Sequence, residues 1–295
     1  MKEFGVDISK WQSNFNFTQA KKEGVKFVVL RGAYTTSKDT SFEKHYKNAK
    51  KAGLNVGCYI YSMATNTTKA KEEAKFMIDK VLKGKQFELP IYFDIEDAVH
   101  KKLSKKTNTA IVKAFCETLE KAGYWVGIYS SKSFFTDYLN DKELQSYAHW
   151  VAQWSKSCTY KGSNKNALGM WQFGGETNLI RSTKVSNCNP VDQDYMLIDY
   201  PSKIKAEGKN GFSKQVSKPV KTTKPTTKPK TTTSYYKKCA KKHVSLVDAL
   251  NSIGVGSNFS NRSKIARKNG IKLYIGSAAQ NTKLLNLLKQ GKLKK

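Results

Sequence analysis

Residues 89–97 read LPIYFDIED, an apolar run of strand length that ends in the carboxylates Asp94, Glu96 and Asp97. A short run this apolar, bounded by polar sequence, reads as a strand buried on both faces, the kind found inside a parallel sheet. Side chains two apart in a strand point to the same side, so Asp94 and Glu96 project together while Ile95 packs the opposite way. Two carboxylates sharing one site repel, which raises the pKa of one and lets it serve as a proton donor. Glycoside hydrolysis needs such a pair: one group protonates the departing oxygen and the other supports positive charge on the sugar. A metal site or a solvated strand end would use the same residues, and spacing alone does not separate these readings.

Runs of the same character recur at 25–31 (VKFVVLR), 56–61 (VGCYIY), 125–129 (WVGIY) and 149–153 (HWVAQ). Between them, residues 39–52, 66–83 and 107–122 carry apolar positions at helical spacing, and Gly53 and Gly123 stand where helix C-termini often place glycine. Strands alternating with helices predict parallel βα units. No Gly-x-Gly-x-x-Gly or phosphate-loop motif follows any strand, which argues against a nucleotide-binding open sheet, and a β/α barrel is the expected architecture. First and last strands are neighbours in a closed barrel. Asp7, in GVDIS, and Asp192, in PVDQDY, would then meet at the mouth that holds Asp94 and Glu96. Taken singly, each is as well read as a loop or capping residue.

The chain of 295 residues has a formal charge of +30, unevenly distributed. Residues 1–202 carry 30 Lys+Arg against 21 Asp+Glu, 203–238 carry 11 against 1, and 239–295 carry 12 against 1. The expected organisation is a mildly basic α/β domain over 1–202, a Lys/Thr/Pro-rich linker over 203–238 and a small all-α module over 239–295. Proline and like-charge repulsion make the linker extended. The module reads as three helices capped by Ser245, Ser260 and Ser277, with Leu246, Leu250, Ile253, Ile265, Leu284, Leu285 and Leu288 as a shared core. Such charge implies a polyanionic partner. A groove-reading motif and the interleaved surface aromatics of single-strand binders are missing, so specific nucleic-acid binding is not expected. The five cysteines have no Cys-x-x-Cys pair and read as free thiols, and no metal or other cofactor is expected. No secretory signal and no membrane-spanning run is visible, so synthesis in the cytosol, no membrane insertion and release to the wall by another protein are the expectations.

DISKWQ at 7–12, RGAY from Arg31, VGCYIYS from 56, YFDIED from 92, GIYSS from 127, AQW from 152, MWQF from 170 and VDQDY from 191 occur in this order. The set resembles the family 25 glycoside hydrolases, the Chalaropsis-type lysozymes of phage endolysins and bacterial autolysins, over residues 3–200. The resemblance implies an irregular TIM-like barrel of eight strands and cleavage of the β-1,4 bond between N-acetylmuramic acid and N-acetylglucosamine in peptidoglycan. It implies Glu96 as general acid and Asp94 as its assistant, acting directly or by orienting the substrate's acetamido group. Asp7 and Asp192 would complete an acidic floor, and Tyr59 and Arg31 would contact substrate. Ile60 stands where many members have histidine, so no role carries over there. Flat indoles suit pyranose faces, which places Trp154 and Trp171 beside the substrate, although a barrel core needs tryptophan for packing as well. The tail resembles short wall-targeting modules of phage lysins, for which teichoic acid or peptidoglycan would be suitable ligands; a solubilising bundle without a ligand has the same composition. The competing function is a basic wall- or nucleic-acid-binding protein without hydrolytic activity.

Overall fold

The computed structural model describes residues 2–162, 168–213, 234–257, 259–271, 274 and 278–295. It separates into two units, Met1–Lys218 and Pro219–Lys295.

The first unit is a closed barrel. Its strands are β1 (Glu3–Ile8), β2 (Phe27–Tyr34), β3 (Ser37–Lys38), β4 (Asn55–Tyr61), β5 (Ile91–Asp94), β6 (Val126–Ser131), β7 (Ala148–Ala152), β8 (Leu168–Gly174) and β9 (Asp192–Met196). Eight of them close the ring in the order β1-β2-β4-β5-β6-β7-β8-β9, while β3 forms a short hairpin on β2. The pairings from β1 through β8 are parallel. β9 runs antiparallel to both neighbours, β8 and β1. Each apolar run read from the sequence is a strand here, with its ends shifted by a few residues.

Strand parity sorts side chains into two layers. Phe27, Val29, Tyr92, Tyr129, Trp150, Met170 and Met196 fill the barrel interior. The residues between them, such as Val28, Leu30, Ile91, Phe93 and Ile128, pack outward with Ala49, Ala70, Phe115 and other helical residues. The interior accommodates its large rings because small residues face them: a side chain at Gly5 would collide with Phe27, and one at Gly127 with Tyr92. This pairing of large and small residues is how the rings fit inside the barrel. The three expected helices are present as Phe42–Lys51, Thr67–Phe76 with a π-helical continuation Met77–Leu82, and Lys105–Lys121. Gly53 and Gly123 follow two of them in the left-handed conformation, at φ 69° and 92°.

The chain stays in this unit beyond residue 202. Helix Tyr200–Glu207 puts Tyr200 and Ile204 into the interior cluster. Asn210, fully buried, then clasps the strand entrances: its Nδ2 donates to Leu89 O (2.8 Å), and its Oδ1 accepts from Trp125 N (2.6 Å). The charge pattern begins the linker at 203, but residues 203–213 are folded because this helix and Asn210 close the barrel base. Most of the expected linker, 214–233, lies outside the described residues.

In the second unit, helices Leu246–Asn251, Phe259–Lys268 and Ala278–Gln290 enclose Leu246, Leu250, Ile265, Leu284, Leu285 and Leu288, with Ile253 partly buried beside them. Ser245 caps the first helix through Asp248 N (3.4 Å). The second begins at Phe259, one residue before the expected cap Ser260, and Ser277 lies outside the described residues. Residues 234–236, read as linker, pair with the C-terminus through Tyr236 N to Leu293 O and Lys295 N to Ser234 O. All five cysteines are free. Among the described residues no helix is long and apolar enough to cross a membrane.

Replacing Asn210 with Ala strands two backbone groups at the barrel base. The expected loss is about 2–4 kcal/mol of unfolding free energy, read by urea titration. Asn210→Gly, which relieves the left-handed backbone at φ 54° but restores neither hydrogen bond, recovers only a fraction.

Candidate active site

The parallel strands all end at one rim of the barrel, and the antiparallel β9 begins there. Asp7, near the end of β1, is therefore paired in register with Asp192, the first residue of β9. Asp94 closes β5 opposite Tyr129 of β6. The extended run continues past it: Ile95 N donates to Tyr129 O (3.1 Å) and Ile95 O accepts from Ser130 Oγ (2.5 Å). Ile95 is thus buried outward, and Glu96 emerges half-buried into a groove of about 900 Å³ that it shares with Asp192, Tyr129, Trp154, Gln172 and Glu176.

The carboxyls are graded in depth. Asp94 is buried, and its Oδ1 has no hydrogen-bond partner among the described residues. Burial pushes its pKa well up, the Glu96 charge adds to the rise, and the Arg31 guanidinium partly opposes it. Glu96 is raised by burial, with Lys101 pulling down and Asp97 pushing up. Asp192 is raised to about 7 by burial, then by Glu96 and Glu176. Asp7 is raised by burial and by Asp194 and Asp192, against the hydrogen bond it accepts from Gln172. Solvation lost on burial is the dominant cause throughout, and like charges compound it.

Gln172 is the hub of the floor. Its Nε2 donates to Asp7 Oδ2 (2.9 Å), and its Oε1 accepts from both Tyr129 Oη (3.0 Å) and Trp154 Nε1 (3.0 Å). Behind Asp7 lies Asp194, fully buried, which accepts from Trp150 Nε1 at 2.7 Å and whose charge raises the pKa of Asp7. Gly175 makes room at the mouth, since a side chain there would collide with Asp192 and crowd Trp154. Tyr59, on β4, sits edge-on to Trp150 at 5.9 Å, and burial raises its pKa, followed by the nearby Asp7 charge.

Of the four expected substrate contacts, Trp154 lines the groove, whereas Tyr59, Arg31 and Trp171 do not. Arg31 does not line the groove; its Nε binds buried Asp39 at 2.8 Å, and Asp39 also accepts from Lys10 N and Ser41 N. Arg31 acts on the floor through its charge on Asp94. Trp171, 5% exposed, faces the outer layer against Phe173 and Tyr195, with its Nε1 donating to Gln153 O (2.8 Å). Strand parity is the reason: Gln172, its neighbour, takes the inward position. Trp154, 42% exposed, does line the groove. Sequence reasoning missed Gln172, Glu176, Asp194 and the groove residue Trp11. Parity within MWQF and VDQDY carries the signal for Gln172 and Asp194.

The profile of the glycosyl hydrolases family 25 matches residues 6–180, more than half of the chain. The chain belongs to that family. An autolytic lysozyme of Clostridium acetobutylicum is 26% identical over 154 residues, 52% of this chain and 45% of that protein. An L-alanyl-D-glutamate peptidase of Listeria phage A118 is 53% identical over 47 residues, 16% of this chain and 17% of that protein. The chain thus spans less than half the length of these curated relatives. The crystal structure of a bacterial lysozyme from Streptomyces coelicolor superposes with a TM-score of 0.58 at 22% identity, covering 72% of this chain and 98% of that one, a likeness of fold.

A carboxyl whose folded pKa lies above its unfolded value favours folding only while protonated. Its penalty is absent below the unfolded pKa and grows as pH rises toward the folded value. For Asp192 that window runs from 3.8 to about 7. Asp192→Asn should therefore raise stability by about 1–2 kcal/mol at pH 7, allowing for partial solvent screening, and the gain should vanish at pH 4 in paired thermal melts.

Proposed function

We propose that this chain is a peptidoglycan hydrolase of the muramidase type (lysozyme, EC 3.2.1.17), cutting the β-1,4 bond between N-acetylmuramic acid and N-acetylglucosamine. The observation that carries the reading is the graded pair at the barrel mouth: Glu96, half-buried in the groove with a raised pKa, and Asp94 buried just beneath it. Family membership and the likeness to an autolytic lysozyme support it. Glu96, whose carboxyl burial holds above the usual range, donates its proton to the glycosidic oxygen as the bond from that oxygen to the anomeric carbon breaks. Positive charge then grows on the sugar, and Asp94 assists, directly or by orienting the substrate's own acetamido group. Water completes the reaction and returns a proton to Glu96. Asp7 and Asp192 hold sugar hydroxyls and, as neighbouring carboxyls, keep the floor acidic. Trp154 contacts the sugar, while Tyr59 packs behind the floor against Trp150 and Arg31 serves through Asp94.

The organisation follows the same division: a muramidase unit, a lysine-, threonine- and proline-rich linker, and a basic helical module that holds the enzyme on the wall. The module's 12 basic residues against one acidic suit the phosphates of teichoic acid or the carboxylates of peptidoglycan. A peptidase and a glycosidase share no bond-cleaving chemistry, so the 47-residue likeness to the phage peptidase favours a common non-catalytic segment. Tethering raises the enzyme's local concentration on its insoluble substrate.

Purified chain and its Glu96→Gln variant are incubated with Gram-positive peptidoglycan, and new reducing ends are identified by mass spectrometry after borohydride reduction. Reduced muramic acid ends are expected, at a rate at least about a hundredfold lower for the variant. Reduced glucosamine ends would make the enzyme a glucosaminidase, and no new ends would leave wall binding as the function. Truncation after Ser213 should leave turnover on soluble fragments intact while retention on whole walls falls about tenfold or more, and retention by the full chain should weaken as salt rises.

A further inference from the structure

Trp11 is 76% exposed, the most exposed tryptophan in the chain, yet it stands on anchored backbone. It lies in the 3₁₀ turn Lys10–Gln12 that follows β1. Ser9 and Gln12 close that turn with a reciprocal capping box, Ser9 N donating to Gln12 Oε1 at 3.0 Å. Lys10 N is tied to buried Asp39 at 3.1 Å, the carboxylate that also binds Arg31. A large apolar ring held out in water on a fixed turn loses the favourable burial it would gain inside. The Lys10 ammonium lies 4.9 Å from the ring centroid, and no aromatic ring stacks on the indole among the described residues.

The surrounding wall is built from amides. Trp11, Asn14 and Asn189 line the groove that holds Glu96 and Trp154. The two loops forming this wall are stitched together: Asn187 Nδ2 donates to Asn14 O (2.7 Å), Asn16 N donates to Asn187 Oδ1 (3.1 Å), and Ser186 Oγ donates to Asn16 O (3.0 Å). None of the lining residues is Lys or Arg. An open indole face beside side-chain amides fits the apolar face of a pyranose ring with acetamido and hydroxyl groups at its edge.

We propose that Trp11 and its amide wall form a second glycan-binding position, which stacks an N-acetylated sugar of the same strand away from the sugars that flank Glu96. The proposal rests on the muramidase reading above. Such a position contributes to strand binding without touching the scissile bond, so its loss raises KM and leaves kcat alone.

The test uses the full chain and peptide-free glycan strands of alternating N-acetylmuramic acid and N-acetylglucosamine, as a disaccharide and as strands of at least about eight sugars. In a Glu96→Gln background, calorimetry should show Trp11→Ala binding long strands about tenfold more weakly, with disaccharide affinity unchanged and Trp11→Phe within about threefold of the parent. With Glu96 intact, Trp11→Ala should raise KM on long strands by the same factor at constant kcat. The C-terminal unit is identical in all variants, so its contribution cancels. Long-strand affinities equal within about twofold, or a fall in kcat matching the rise in KM, would overturn the proposal. Glu96→Gln cleaving at the parental rate would instead overturn the assignment of Glu96 as the proton donor, and the KM and kcat comparison with Glu96 intact would then decide the Trp11 proposal by itself.

Discussion

The antiparallel pairing of β9 between β1 and β8 is the constraint on which the rest of the site depends. A ninth segment entering parallel would have placed the start of its strand at the base, with Asp192 far from the rim. Running the other way, β9 delivers its first residue to the rim where β1 and β5 end, and sets Asp192 in register with Asp7. The same pairing seats Asp194 two residues deeper on the same face, opposite Gln172. Antiparallel neighbours need no helical crossover, so residues 175–191 are released from that task. That loop supplies Glu176 and Pro190 to the groove, and Asn187 to the seam with residues 14–16.

Packing at the barrel centre sustains an electrostatic arrangement that works against folding. Carboxyls at Asp7, Asp94, Asp192 and Asp194 all have pKa values raised chiefly by burial, and each gains further from a carboxylate neighbour. Such groups are tolerated because the scaffold around them is over-determined: Trp150, Tyr129 and Tyr92 interlock as ring pairs 4.4–5.1 Å apart directly below. Two of those rings also serve the polar layer, Trp150 through Asp194 and Tyr129 through Gln172. The apolar core and the acid floor are therefore one continuous network, in which a substitution made for stability at the rings would be felt at the carboxyls.

Much of this was legible in the sequence, for identifiable reasons. Buried parallel strands are continuous apolar runs, which is why 25–31, 56–61, 89–95, 125–129 and 149–153 could be picked out. β8 and β9 were harder, because MWQF and VDQDY mix polar residues into strands whose inner face lines the acid floor. Trp171 shows the cost: aromatic chemistry suggested substrate, whereas parity turned the indole outward and gave the inward place to Gln172. Charge counting located the basic tail but not the end of the barrel, since helix Tyr200–Glu207 carries ordinary lysines on its outer side while Tyr200 and Ile204 do the packing. Trp11 lay in plain view within DISKWQ, but exposure is a property of the folded turn and has no local sequence signal.

The charge distribution gains meaning only when the groove is considered separately from the chain. A protein with a net charge of +30 lines its groove with Glu96, Glu176 and Asp192 and with no lysine or arginine. Long-range attraction to a polyanion is a surface property that salt screens over about 10 Å, whereas the raised pKa of Glu96 depends on its immediate, partly desolvated neighbourhood. A lysine brought into the groove would pull the raised pKa of Glu96 back down, as Lys101 already does in part. The excess of basic over acidic residues is instead greatest behind position 202, where 23 Lys+Arg stand against 2 Asp+Glu, and the groove lining is left without a cation.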